Sequence, residues 1–175
     1  LQELNAIEAS SATLDNHGDI SATALAHANG DDLAIAQAYG HVMAVNAYYP
    51  GMPIISPEIS VENNKGATIT AYAGAEANTS AYAGAMGAGY FGTTLNGTVT
   101  NAGLIDAQAF AAASTGTASA FGVVEVSANV NNVVTTNSGV ISAYAQGPNA
   151  YATGIAIASV FPVENALVPN GQLLP

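Results

Sequence analysis

The chain has 175 residues, half of them hydrophobic, so its length allows one domain with a continuous core that needs no disulfides. Twelve Asp and Glu residues stand against one basic residue, Lys65, and the formal net charge is −11. Such a chain cannot form the basic surface that nucleic acids and anionic membranes require. We therefore expect no nucleic-acid binding. No apolar stretch approaches the ~18 residues of a spanning helix, so we expect no membrane insertion either. The absence of Cys excludes disulfides, thiolate catalysis and Cys-based zinc sites.

After an N-terminal end segment at 1–13, one phrase with the shared core N-x-G-x-I-x-A-x-A occurs four times. Its copies are LDNHGDISATALAHA at 14–28, ENNKGATITAYAGAEA at 62–77, TNAGLIDAQAFAAA at 100–113 and TNSGVISAYAQG at 136–147. The marker Ile of the phrase stands at Ile20, Ile69, Ile105 and Ile141, so the last three copies lie 36 residues apart and the first interval is 49. This spacing predicts repeats near 14–61, 62–99, 100–135 and 136–161, followed by an end segment at 162–175.

The longer first interval contains the stretch AYYPGMPIISPEIS at 47–60, which holds three of the chain's seven prolines. Because Pro lacks the N–H that a strand donates to its neighbour, this stretch predicts an inserted loop. The second copy of the phrase also has one additional residue between Gly66 and Ile69, which predicts a β-bulge. Stacked repeats tolerate both kinds of irregularity.

Two further phrases complete each repeat. The second is AYGHVMAV at 38–45, AYAGAMGA at 81–88, AFGVVEV at 120–126 and AYATGIAIA at 150–158, with an aromatic residue at Tyr39, Tyr82, Phe121 and Tyr151. The third is LNGTVTN at 95–101 and VNNVVTTN at 130–137, and its last Asn opens the next copy of the first phrase. Each 36-residue unit therefore offers three extended segments.

These segments have the period of strands. Ala favours a helix by propensity, but here the small apolar residues alternate with other residues, as Ile69, Ala71 and Ala73 alternate with Thr70 and Tyr72. Frequent Gly would cost a helix about 1 kcal/mol at each position. The pattern predicts one small apolar face in each segment, which can be buried only against a closely spaced second sheet.

Together the repeats predict an all-β, right-handed parallel β-helix (β-solenoid) that forms a single domain over 1–175, with about four repeats and one Pro-rich inserted loop. Stacking would place like residues above one another every ~4.8 Å. The expected columns are an amide ladder, the marker Ile residues and an aromatic stack: Asn16, Asn64, Asn101 and Asn137; Ile20, Ile69, Ile105 and Ile141; Tyr39, Tyr82, Phe121 and Tyr151. The alternative is an antiparallel sandwich, because Asn96-Gly97 and Asn29-Gly30 are good hairpin turns.

The phrase N-x-G-x-I-x-A-x-A, with Ala-Tyr-x-Gly and Ala-Ile-Ala downstream, resembles the Ala/Gly/Asn-rich repeats of bacterial surface and autotransporter-type adhesins. The resemblance covers about 14 to 160. It implies a right-handed parallel β-helix that is secreted and displayed at a bacterial cell surface, and it carries no catalytic residues to this chain.

Motifs for chemistry are sparse. The stretch GAGYFG at 87–92 matches a dinucleotide-binding fingerprint, but the following TTLNGTVT cannot start the helix that this motif needs. His17, His27 and His41 lack the spacing of a helical zinc site, so we expect no bound metal. The candidates for weak calcium coordination are turn acids, which are otherwise simply solvated: Asp31, Asp32, Asp15 and Asp19. No other cofactor is expected.

Exposed tyrosines suggest a second kind of function, because aromatic rings can stack on sugars. The candidates are Tyr48, Tyr49, Tyr72 and Tyr144, although such rings can equally stabilise neighbouring strands. We expect a structural module that is not an enzyme: a rigid acidic rod, filament or adhesin segment that associates end to end through its solenoid edges or through flanking repeats. The alternative is glycan binding. Two further functions are less favoured: polysaccharide processing, for which Lys65 is the one available cation, and ice binding, for which the Thr array is incomplete.

Overall fold

The computed structural model describes residues 2–6, 11–29, 32–45 and 58–159, and these residues form only strands and turns. Tyr48, Tyr49 and Asp31 lie outside the described residues. In chain order the strands are β1 (Gln2–Ala6), β2 (Ser11–Asn16), β3 (Asp19–His27), β4 (Leu33–Val45), β5 (Glu58–Asn63), β6 (Thr68–Glu76), β7 (Ser80–Asn101), β8 (Leu104–Ala112), β9 (Thr115–Asn137), β10 (Val140–Gln146) and β11 (Asn149–Ser159). Within these ranges no helix is long and apolar enough to cross a membrane.

All strand pairings are parallel, and they build three faces that are each four strands deep. Face 1 contains β2, β5 and the second halves of β7 and β9, whereas face 2 contains β3, β6, β8 and β10. Face 3 contains β4, the first halves of β7 and β9, and β11, with β1 beside the end of β4. The described chain is therefore a parallel β-helix of four rungs, and each 36-residue repeat is one three-sided coil. The antiparallel alternative is wrong, because Asn96 and Gly97 lie inside β7, which runs from face 3 into face 1.

The core has two differently filled parts. Between face 2 and the first half of face 3, the inward positions of the middle rungs are Ala, and Ala73, Ala83 and Ala109 are fully buried there. Methyl groups therefore line both sides of this part of the core. Beside face 1 the core is wider and holds larger side chains, among them Leu95 and Val123. Burial of each such side chain stabilises the fold by roughly 1.5–3 kcal/mol.

The marker Ile residues form one column at the start of face 2, with Ile20 paired to Ile69, Ile69 to Ile105, and Ile105 to Ile141. The two inner members are buried, and the two outer members are only partly buried because they belong to the first and last rungs. Their branched side chains separate the Ala-lined part of the core from its wider part.

The aromatic column predicted from the second phrase is not formed. In the register of face 3, Tyr39 pairs with Met86, which pairs with Phe121, whereas Tyr82 lies level with Ile35 and Thr117. Tyr151 pairs with Ser119. The backbone pairing aligns the phrases on their inward Ala residues and not on their aromatic residues. Tyr39 and Phe121 therefore share one height, with Met86 between them, whereas Tyr82 and Tyr151 each stand at another height.

The second repeat differs from the predicted arrangement in two places. The predicted β-bulge near Gly66 is not formed within a strand. The additional residue is accommodated in the turn that follows β5, where Gly66 takes a φ of 87°. The predicted inserted loop at 47–60 also extends too far, because Glu58 begins β5 and Ile59 is fully buried in the core. At the N-terminal end, the segment 1–13 contains β1 and the start of β2.

A column of glycines lies where face 3 bends, at Gly40, Gly87, Gly122 and Gly154. A Cβ on Gly87 would lie 2.6 Å from the Cγ2 of Ile105 and 2.7 Å from the carbonyl oxygen of Gly122. A Cβ on Gly122 would meet the next rung in the same way, 2.5 Å from the carbonyl oxygen of Gly154. Gly40, Gly87 and Gly122 are required for space, because no side chain fits between the bend and the marker Ile column.

The glycine column predicts that Gly87→Ala is strongly destabilising. The new methyl would have to displace both a branched side chain and the backbone of the next rung, at a cost of about 1–3 kcal/mol or more. Gly154→Ala is the matched control, because it lies in the same column but in the last rung, where no atom lies within 4 Å of the new Cβ. Urea unfolding measures both, and equal midpoints for the two variants would contradict the packing of the bend.

Candidate functional site

A ladder of Asn side chains joins the rungs between faces 1 and 2. Asn16 Nδ2 donates to Asn63 Oδ1 at 2.8 Å, Asn63 Nδ2 to Asn101 Oδ1 at 2.7 Å, and Asn101 Nδ2 to Asn137 Oδ1 at 2.8 Å. Each donating amide also reaches the first carbonyl oxygen of face 2 in the next rung, at Thr68, Leu104 or Val140. An amide suits this position because it carries both donors and an acceptor.

The ladder contains Asn63 where the sequence comparison places Asn64. In the register of face 1, Asn63 pairs with Asn16 and Asn101, and its side chain is fully buried. Asn64 is the next residue, and its Nδ2 donates to Asp15 Oδ1 on the outside at 2.7 Å. The sequence alignment uses the Gly that follows each Asn. The turn after Asn63 is longer than the turns of the other rungs, so this alignment selects Asn64, one residue too late, as the ladder residue.

The candidate calcium ligands occupy outward positions without converging. Asp15 accepts the bond from Asn64 and lies 3.0 Å from His17 Nε2, whereas Asp19 Oδ1 accepts from Thr68 Oγ1 at 2.8 Å. Asp32 is exposed just before β4. The described residues contain no group of three or more His, Asp or Glu side chains that could hold a metal ion. The stretch GAGYFG at 87–92 lies within β7, so it offers no helix N-terminus to a dinucleotide.

Three aromatic rings form a ridge on the outer surface of face 2. The centroids of Tyr72 and Phe110 lie 5.3 Å apart, and those of Phe110 and Tyr144 lie 5.5 Å apart. Tyr72 and Tyr144 stand in one register column but two rungs apart, and Phe110 fills the space between them from the neighbouring column. Phe110 was not among the sequence candidates, because it occurs in only one copy of the phrase; the outward parity of its position is the signal that places it on this surface.

Beside the ridge lies an open groove of about 530 Å³, lined by Leu25, His27, Tyr72, Gly74, Glu76 and Phe110 among others. Its floor is low because Gly74 has no side chain, and the ring of Tyr72 lies across that glycine. A smaller groove of about 250 Å³ occurs on face 3, where Tyr39, Tyr82, Met86, Phe91 and Phe121 contribute to an apolar lining. Both surfaces carry aromatic side chains outside a core that is mostly Ala.

The wider part of the core encloses polar side chains that the sequence patterns do not reveal. His41 and Tyr90 are buried with ring centroids 6.0 Å apart, and neither ring nitrogen of His41 nor the Tyr90 hydroxyl has a hydrogen-bond partner within the described ranges. Glu125, in the register position above Tyr90, accepts a bond from Thr135 Oγ1. Burial lowers the pKa of His41 to about 4, and burial together with Glu125 raises the pKa of Tyr90.

Comparison with known proteins adds no assignment: no family model, curated protein or solved structure matches the chain. Function must therefore be argued from the ladder, the outer surfaces and the ends of the stack.

The ladder predicts that Asn63→Ala lowers the free energy of unfolding by roughly 2 kcal/mol or more. The change leaves the Asn16 amide and Asn101 Oδ1 without their buried partners, and each unsatisfied group costs about 1–3 kcal/mol. Asn64→Ala, in the adjacent position, removes a surface bond to Asp15 and a partly buried bond to the Asn16 carbonyl oxygen, which keeps the Asn64 backbone N–H as a donor; it should cost less than about 1 kcal/mol. Chemical denaturation measures the free energy of unfolding of both variants. A larger decrease for Asn64→Ala than for Asn63→Ala would contradict the assignment of Asn63 to the ladder.

Because His41 is buried with a lowered pKa, we expect acid to destabilise the fold. Its pKa of about 4 in the folded chain lies below the ordinary value of 6.5, so between these pH values the unfolded chain binds a proton that the folded chain does not. Neutral His41 makes its full contribution to the free energy of unfolding above pH 6.5. As the pH falls this contribution is lost, by up to about 3 kcal/mol near pH 4.

The measurement is the free energy of unfolding between pH 7 and pH 4. His41→Leu should flatten the profile in this range, whereas His27→Gln, on the exposed surface, should keep the slope of the unaltered chain. A slope that His41→Leu leaves unchanged would assign the acid sensitivity to the carboxylates.

Proposed function

We propose that the chain is a structural element, a rigid acidic segment of a rod, filament or adhesin that acts outside a bacterial cell and catalyses no reaction. The proposal is supported by in-register repetition: every rung presents the same backbone edge, the same marker Ile and the same amide to the next rung. Such an arrangement resists bending and can be extended by adding rungs, since each repeat contacts only its neighbours.

The single observation that carries the proposal is the last described rung, which no other described strand covers. Ile155 and Ile157 stand in the inward columns of face 3, directly above Val123 and Glu125. Val123 and Glu125 are fully buried, but Ile155 and Ile157 are 43% and 59% exposed. Within residues 58–159, the far edges of β10 and β11 pair with no strand, and these edges together with the exposed core residues favour a further rung at this end.

The partner in this proposal is therefore another rung of the same construction, supplied by flanking repeats or by a second copy of the chain. The net charge of −11 opposes side-by-side contact between acidic rods, whereas the apolar last rung favours contact at the end. The rod needs no cofactor for this role. The sequence resemblance suggests that the protein is secreted and displayed at the cell surface.

Light scattering of the chain over a range of concentration, with and without Ca²⁺, tests the end-to-end version. We expect mass to rise with concentration, and Ile157→Lys should abolish the rise because it places a charge on the exposed core. Ile35→Lys is the matched control: Ile35 is 55% exposed, but it lies on the outer side of the first rung. A strictly monomeric chain under all conditions would overturn self-association.

A further inference from the structure

We propose that the aromatic ridge and the adjoining groove on face 2 form a binding site for a neutral glycan chain. This inference is independent of the rod proposal, because it concerns the outer surface of the solenoid and not its ends. The site is defined by Tyr72, Phe110 and Tyr144 in the ridge and by Gly74 at the floor of the groove.

The ridge is a continuous row of three rings whose planes are tilted by 33° and 46° from one ring to the next. Three rings follow one another at 5.3 and 5.5 Å between centroids, so the ridge crosses three successive rungs along the axis of the solenoid. Both tyrosine rings contact Phe110, and Tyr72 remains 37% exposed and Tyr144 51% exposed. The face of an aromatic ring is electronegative, and it attracts the weakly positive axial C–H groups of a pyranose ring.

The groove provides a depression in which one sugar unit can rest. Gly74 lies between Leu25 in the rung below and Phe110 in the rung above, and the ring of Tyr72 forms a side wall. The volume of about 530 Å³ lies in the range of small-molecule sites, and most of its lining is apolar with a few polar groups. The groove is open to solvent, which suits an extended chain better than a small enclosed ligand.

Polar groups border the apolar surface where hydroxyl groups of a sugar would project. His27 and Glu76 stand side by side at one border, with Nδ1 and Oε2 3.5 Å apart. On the other border, the Gln108 amide donates to Asp106 Oδ2 at 2.7 Å, and the Tyr144 hydroxyl donates to Gln146 at 3.2 Å. Carboxylate, amide and imidazole groups can accept or donate bonds to sugar hydroxyls, and they would set the orientation of the chain.

Charge restricts the kind of glycan. Apart from the tyrosine hydroxyls, the titratable groups at the site are Glu76, Asp106 and His27, and Lys65 lies in the turn between faces 1 and 2. Uronic acids and sulfated sugars carry negative charge, and here they would meet carboxylates with no Arg or Lys to pair with. The occupant that fits is therefore a polymer of uncharged pyranose units.

The direct test is isothermal titration of the full chain with hexamers of β-glucose, N-acetylglucosamine, mannose and galactose, and with a galacturonate hexamer as the anionic probe. We expect at least one neutral hexamer to bind and the galacturonate hexamer not to bind. Tyr72→Ala and Tyr144→Ala should each weaken binding about fivefold to tenfold, as expected for the loss of one aromatic contact.

Tyr82→Ala is the matched control for the loss of a tyrosine. Tyr82 is 36% exposed and its ring lies across Gly84, as the ring of Tyr72 lies across Gly74, but Tyr82 is on face 3. This variant should bind the neutral hexamer as the unaltered chain does. Equal losses for Tyr82→Ala and Tyr72→Ala would overturn the site.

A second pair of variants fills the groove without removing a ring. Gly74→Val should abolish binding, since even its Cβ lies 3.0 Å from Leu25 Cδ2, whereas Gly84→Val should leave binding unchanged. Circular dichroism and the thermal midpoint check that both variants remain folded. Binding of no neutral hexamer, stronger binding of galacturonate, or unimpaired binding by Gly74→Val would each overturn the proposal; capture of a cationic peptide at the ridge without any neutral glycan would assign the surface to a protein partner instead.

Discussion

Parallel pairing in register is the constraint on which this structure depends. In a three-sided coil each residue lies above its own counterpart in the previous rung at ~4.8 Å, so an inward position must suit a copy of itself. Small Ala methyl groups satisfy this condition across the narrow part of the core, and amides satisfy it at the ladder, where one side chain donates to the next. A charged side chain repeated inward would meet its own charge at every step.

The same constraint explains what the sequence could and could not predict. The marker Ile column and the parallel solenoid follow from a 36-residue spacing, because both depend on inward residues that repeat. The ladder residue of the second rung was displaced by one, since a longer turn after Asn63 separates the Asn from the Gly used for alignment. The aromatic column failed because Tyr39 and Tyr82 are outward residues, and outward residues need not repeat in register.

The candidate surface was only partly predictable for a related reason. Tyr72 and Tyr144 share a position in the phrase, but their connection depends on Phe110, which stands in a different column and in one repeat only. A contact between unlike positions of neighbouring rungs leaves no periodic signal. The buried set of His41, Tyr90 and Glu125 is likewise irregular. The other rungs have apolar residues in the column of His41, whereas Tyr90 and Glu125 occupy the two middle rungs of one column that has Met43 and Ile157 in its outer rungs.

The amide ladder also gives the stack a direction. Every donating Nδ2 points toward the following rung, and in the last described rung Asn137 turns its amide to the carbonyl of Gly139 at 3.3 Å. A finished rung therefore presents a donor to a chain that arrives after it, together with a backbone edge that already holds the correct register. The geometry of one coil therefore fixes the register of the coil beside it.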